Sequence, residues 1–109
     1  MTGEILYDPE LEEIAARDKL IKRSLEQLTK RFETMGFEIV RRPDVTLKFK
    51  EDEEFCRVVN KSSNSNLENS LLYSIYTKDA NFLITENSET IKTAKELKLD
   101  KKVLKVLAA

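Results

Sequence analysis

The segment Phe82-Leu83-Ile84-Thr85 most constrains the fold of this chain. It is a short run without a polar face, bounded by Ala80-Asn81 and by Glu86-Asn87-Ser88. A half-exposed strand alternates apolar and polar residues, whereas a strand covered on both faces does not. The run therefore predicts a strand inside a parallel sheet, with helices above and below it.

The neighbouring segments supply that cover. Glu4 to Tyr7 predicts a first strand. Asp8-Pro9 predicts a helix start, because Asp caps well and Pro is pre-set for the first turn. Glu10, Glu12 and Glu13 then place negative charge where the helix dipole favours it. Leu11, Ile14, Asp18, Ile21, Leu25, Leu28, Phe32 and Met35 recur at alternating spacings of four and three, all apolar except Asp18. This stripe predicts a helix to about Met35, closed by Gly36. A helix of that length exceeds the usual one in a small domain. It either breaks near Asp18 or projects to meet a partner. Phe37 to Val40 predicts a strand, and Val45 to Phe49 a second short strand or an extended run. Glu51 to Asn60 predicts a helix, Lys61 to Asn66 a polar loop, and Leu67 to Lys78 a helix. Ser88 to Leu97 predicts a further helix and Val103 to Val106 a last strand. The expected fold class is α/β, three layers (α/β/α) around a small, mostly parallel sheet. Residues 1–109 form one domain, with a strand and long helix in 1–36 and an α/β core in 37–109.

Composition narrows the chemistry. Of 109 residues, 19 are Lys or Arg and 20 are Asp or Glu, so bulk charge will not attract a polyanion, and any nucleic-acid site must be local. A single Cys and no His exclude an internal disulfide, a zinc finger and a His-dependent nucleophile. No apolar run is long enough to span a membrane, and the acidic amphipathic start does not read as a secretory signal. The expected setting is the cytoplasm.

In an open parallel sheet, sites form beyond the carboxyl ends of the strands. Tyr7-Asp8 and Thr85-Glu86-Asn87-Ser88 fall at two such ends. Glu68 opens the helix before the buried strand, so its carboxylate can return to the same edge. Glu26, on the long helix, is a weaker addition. Converging carboxylates there suit Mg²⁺ or Mn²⁺, which take oxygen ligands and can activate water against a phosphodiester. Each residue also has a simpler reading. Asp8 caps a helix, Ser65-x-x-Glu68 is a capping box, Asn87 or Ser88 caps the next helix, and Glu26 is a solvated side chain. Arg41, Arg42, Lys48 and Lys50 could contact phosphates, but Glu51 to Glu54 offset them. Tyr73 and Tyr76 could stack on bases, although their helical spacing makes at least one of them core. Cys56 reads as a small buried hydrophobe.

From Glu68 to Val106, the order is an acid-opened helix, Leu83-Ile84-Thr85, a polar dipeptide, a short helix and a last strand. This resembles the C-terminal half of PIN domains, a metal-dependent nuclease fold found in toxins of toxin–antitoxin modules and in RNA-processing factors. Phe37 to Val59 is compatible with the preceding strand and helix, so the resemblance covers residues 37–106. It implies a Mg²⁺- or Mn²⁺-dependent ribonuclease. Asp8 and Glu68 would be metal ligands, Glu26 a further acid, and Thr85 and Asn87 groups that orient water or phosphate. Asn87 stands where the family usually carries an acid, Asp8 is followed by Pro9-Glu10 instead of a hydroxyl residue and Asn, and the chain is short for the family. The alternative is a non-catalytic PIN-like module that binds RNA or a protein, or pairs with itself through Leu11, Ile14, Ile21, Leu25 and Leu28.

Overall fold

The computed structural model describes residues 3–106. Four strands form one sheet in the order β2-β1-β3-β4: β1 (Glu4–Tyr7), β2 (Glu38–Val40), β3 (Phe82–Ile84) and β4 (Val103–Leu104). Every pairing is parallel, so the sheet is wholly rather than mostly parallel. Leu6 pairs with Val40 on one side and Leu83 on the other, and Leu83 pairs with Val103.

Successive side chains of a strand point to opposite faces, and the two faces here have separate cores. Ile5, Tyr7 and Ile84 are buried on one face with Leu11 and Leu25. Leu6 and Leu83 are buried on the other with Phe55, Val59, Leu71, Leu72 and Ile75. Helices α1 (Glu10–Arg17) and α2 (Lys19–Thr34) cover the first face. Helices α3 (Glu53–Val59), α4 (Asn66–Tyr76) and α5 (Ser88–Glu96) cover the second, which gives three layers. β1 lies between β2 and β3, so the 1–36 and 37–109 segments share one sheet.

The long amphipathic segment breaks at Asp18. That residue is extended (φ −131°, ψ 108°), and its side chain accepts hydrogen bonds from the Leu20 and Ile21 amides. One residue thus ends α1 and caps α2. The apolar stripe is spent on the sheet: Leu11 and Leu25 are buried, and Ile21, Leu28 and Phe32 pack against the same core. These residues pack as intramolecular core. Asp18→Ala should cost about 1 kcal/mol, read as a lower urea midpoint with unchanged slope.

Gly36 follows α2 with φ +96°, the left-handed turn that Gly adopts without strain. Residues 44–47 form no strand; a 3₁₀ turn over Lys48–Glu51 follows, and α3 begins at Glu53, capped by Asp52. The Asp52 carboxylate accepts from the Phe55 amide at 3.0 Å and offers that helix a closed start. β4 is shorter than its apolar run suggests, covering Val103–Leu104 only.

Candidate functional site

β1 leads to β2 on one side and β3 leads to β4 on the other. The order therefore switches direction between β1 and β3, and a crevice is expected beyond their carboxyl ends. Asp8 follows β1 and Thr85 follows β3, and both are essentially without solvent exposure. The Thr85 hydroxyl donates to Asp8 Oδ2 at 2.6 Å. Asp8 Oδ1 accepts from the Glu10 amide at 3.0 Å, so the carboxylate both starts α1 and anchors the neighbouring strand.

A continuous chain of hydrogen bonds runs on from this pair. Thr85 Oγ1 accepts from the Asn87 amide (3.1 Å). Asn87 Oδ1 accepts from the Thr90 amide (3.0 Å), which caps α5. The Thr90 hydroxyl donates to Glu68 Oε2 (2.9 Å), and Ser65 Oγ donates to Oε1 (3.2 Å). Asn87 Nδ2 donates to Glu10 Oε2 at 3.4 Å. The fold thus gathers Asp8, Thr85, Asn87 and Glu68 at one edge, where α1, α4 and α5 all begin.

Glu68 is buried, and burial is the main cause that pushes its pKa above the ordinary carboxylate range. The hydroxyls of Thr90 and Ser65 oppose the shift, while the negative charges of Glu10 and Asp8 add to it. No cationic side chain is among the groups that act on it. Ser65 caps α4 as the capping-box spacing predicts, with Ser65 Oγ accepting from the Glu68 amide at 3.3 Å. The Glu68 carboxylate, however, takes hydroxyl hydrogens from Ser65 and Thr90.

Glu26 belongs elsewhere. It is exposed on α2, on the opposite face of the sheet from α4, and lines a cleft of about 320 Å³ with Tyr7, Lys22 and Arg41. The Arg41 guanidinium lies 5.1 Å from the Tyr7 ring centre, a cation–π contact. Burial raises the Tyr7 pKa, with Arg41 opposing it. The other basic residues, Arg42, Lys48 and Lys50, are exposed. Tyr73 and Tyr76 stack on each other and pack against Phe55, so both serve the core. Cys56 is half-buried and donates to the Phe49 carbonyl.

The sequence does not mark Glu10 or Thr90 as site residues. Glu10 reads as an ordinary first-turn acid, and its spacing of two from Asp8 is the only signal. Thr90 reads as a helix-interior residue, and only its spacing of three from the cap Asn87 marks it. Among the described residues, no three acidic or thiol side chains have an arrangement that could hold a metal ion. Asp8 and Glu68 offer two carboxylates, the oxygen donors that Mg²⁺ or Mn²⁺ takes, and not the larger ligand set of an all-protein cage. Among the described residues, no helix is long and apolar enough to cross a membrane.

No family model, no curated protein and no solved structure matches the chain.

The Thr85 hydroxyl is a two-way clamp, donating to Asp8 and accepting from the Asn87 amide. Thr85→Val keeps the shape and removes both bonds. It should cost about 2–3 kcal/mol, the range for a hydrogen bond to a buried charge plus an unpaired amide. Equilibrium urea denaturation measures this, and a loss under 0.5 kcal/mol would show that water replaces the hydroxyl.

Proposed function

We propose that the chain is a PIN-like ribonuclease that works with one Mg²⁺ or Mn²⁺ held by Asp8 and Glu68. The observation that carries this reading is that two buried acids, Asp8 and Glu68, are joined at one sheet edge by a chain of hydrogen bonds through Thr85, Asn87 and Thr90, where the Asp8 charge is among those that repel Glu68. Buried charges are normally paired or bind metal. A bound dication would offset that repulsion, polarise a phosphate and lower the pKa of a coordinated water. Around it, each residue has a mechanical task. Thr85 holds the Asp8 carboxylate in one orientation, and Thr90 with Ser65 holds that of Glu68. Asn87 spends both ends of its amide on Thr90 and Glu10, so it positions Glu10 rather than serving as a ligand. Glu10, exposed beside the pair, is the acid placed to orient an attacking water.

The reading makes Glu68→Gln informative in two directions. The folded-state pKa of Glu68 lies above its unfolded value, so folding takes up a proton. Its stability penalty is absent below the ordinary carboxylate range. The penalty grows as pH rises through the window up to the raised pKa and persists at neutral pH. Without divalent ions, Glu68→Gln should therefore melt higher than wild type at pH 7, and the gap should close on acidification. With Mn²⁺ the order should invert, because only wild type gains binding energy. Melting curves with and without Mn²⁺ across pH check both signs. Calorimetry with Mn²⁺ and cleavage of single-stranded RNA test the function; absence of both rejects it.

A second reading has its own support. Asn87 is neutral and its amide is bonded to Thr90 and Glu10, and among the described residues no three acidic or thiol side chains are arranged to hold a metal ion. A non-catalytic PIN-like module, binding RNA or a partner protein, fits these facts. Mn²⁺ binding and RNA binding without cleavage would select it.

A further inference from the structure

The outer strand β4 leaves one edge of the sheet open. Among the described residues it pairs with β3 alone. Leu104 turns its backbone toward β3, because its carbonyl accepts from the Thr85 amide at 3.0 Å. The Val106 amide turns to the same side and donates to Glu86 Oε1 at 2.6 Å. Backbone groups along a strand alternate in direction with a period of two. Val103 and Lys105 therefore present their N–H and C=O groups outward, the row on which another strand can pair.

A groove of about 540 Å³ runs along this edge, between β4 and α2. Its apolar part is open to a ligand, since Leu28 and Leu104 are half-buried and not enclosed. Ser24 and Gln27 add neutral polar groups. Arg31 and Lys105, both exposed, add two positive charges. Among the described residues, no acidic side chain lines the groove. The positive charge also extends beyond it. Residues 91–106 hold six Lys against two acids, Glu96 and Asp100, whereas the whole chain has net charge −1.

These features select among occupants. A second copy is disfavoured, because a two-fold contact sets the patch against itself and brings Arg31 and Lys105 against like charges. Single-stranded nucleic acid is held by stacking its bases on aromatic side chains as well as by charge. No aromatic side chain lines this groove. An extended peptide uses every feature. Its main chain bonds to Val103 and Lys105, alternate apolar side chains cover Leu28 and Leu104, and its carboxylates meet Arg31 and Lys105. We propose that an acidic, extended segment of a partner protein docks here and adds a strand beside β4. This surface involves neither Asp8 nor Glu68.

The test uses the full chain and two end-blocked hexapeptides, one alternating valine with glutamate and the other valine with lysine. Calorimetry should show the glutamate peptide binding at least roughly tenfold tighter, the worth of two partly exposed ion pairs. Its binding should weaken as salt rises. Hydrogen exchange of the Val103 and Lys105 amides should slow on binding, and by more than that of Leu104. Arg31→Glu combined with Lys105→Glu should abolish or reverse the preference for glutamate. Both side chains are exposed, so the fold should survive. Asp8→Asn should leave peptide binding unchanged, which separates this surface from the proposed nuclease centre. Equal affinity for the two peptides, binding of neither, or unmoved exchange at Val103 and Lys105 overturns the inference. Displacement of the peptide by oligouridylate assigns the groove to RNA, and a dimer in sedimentation that Arg31→Glu dissociates assigns it to a second copy; either result overturns it equally.

Discussion

On the proposed ribonuclease reading, Asp8→Asn is expected to lower Mn²⁺-dependent RNA cleavage about a thousandfold. Metal-ion catalysis contributes several kcal/mol of charge stabilisation, and each 1.36 kcal/mol is about tenfold in rate. Asp8 supplies half of the proposed ligand pair, and its geometry is already fixed by Thr85 at 2.6 Å and the Glu10 amide at 3.0 Å. Asn is nearly isosteric, so the fold should survive. One of its two positions becomes a donor and must face either the Thr85 hydroxyl or the Glu10 amide. The hydroxyl can rotate, so that mismatch is the cheaper one. Without metal the variant also relieves part of the repulsion on Glu68. The expected pattern is lost Mn²⁺ affinity and lost cleavage with near-native melting. Cleavage rates with purified RNA, paired with Mn²⁺ calorimetry, measure it. Retained cleavage would move the chemistry away from this edge of the sheet.

Phe55→Ala should be the most destabilising single substitution of the set, at about 3–5 kcal/mol. Phe55 is fully buried. Its ring meets Phe49 edge-on at 6.0 Å, Tyr73 at 4.9 Å and Tyr76 at 5.2 Å. One side chain thus ties the 3₁₀ turn, α3 and α4 together. Truncation loses the transfer energy of the ring and leaves a cavity that rigid aromatic neighbours cannot close. A small domain has total stability of about 5–15 kcal/mol, so the loss takes a large share. At about 4 °C or more per kcal/mol, Tm should fall by at least about 12 °C. Phe55→Leu, which keeps most of the volume, should cost less than half as much. Urea denaturation of both variants checks the ratio; equal costs would point to the aromatic contacts rather than the cavity.

Some features were legible because they depend on residues close in sequence. The two-faced apolar run at 82–85, the heptad stripe and the Ser65 cap each follow from local periodicity or a local hydrogen bond. The break at Asp18 was one of two readings, and the decision came from the sheet, which the stripe had to cover on one short face. Other features depend on distant contacts. Val45 to Phe49 alternates like a strand, yet the sheet already ends at β2, and the segment instead runs past α4, where the Thr46 amide donates to Ser70. Glu26 has the same composition-level credentials as Glu68, but α2 lies on the wrong face.

The order of local patterns was enough to determine that this chain makes helices on both faces of a parallel sheet, because burial on two faces leaves no other use for such strands. Which acids meet was decided only in three dimensions. Asp8, Thr85 and Glu68 are joined by strand order and helix docking, and sequence spacing carries no information on either.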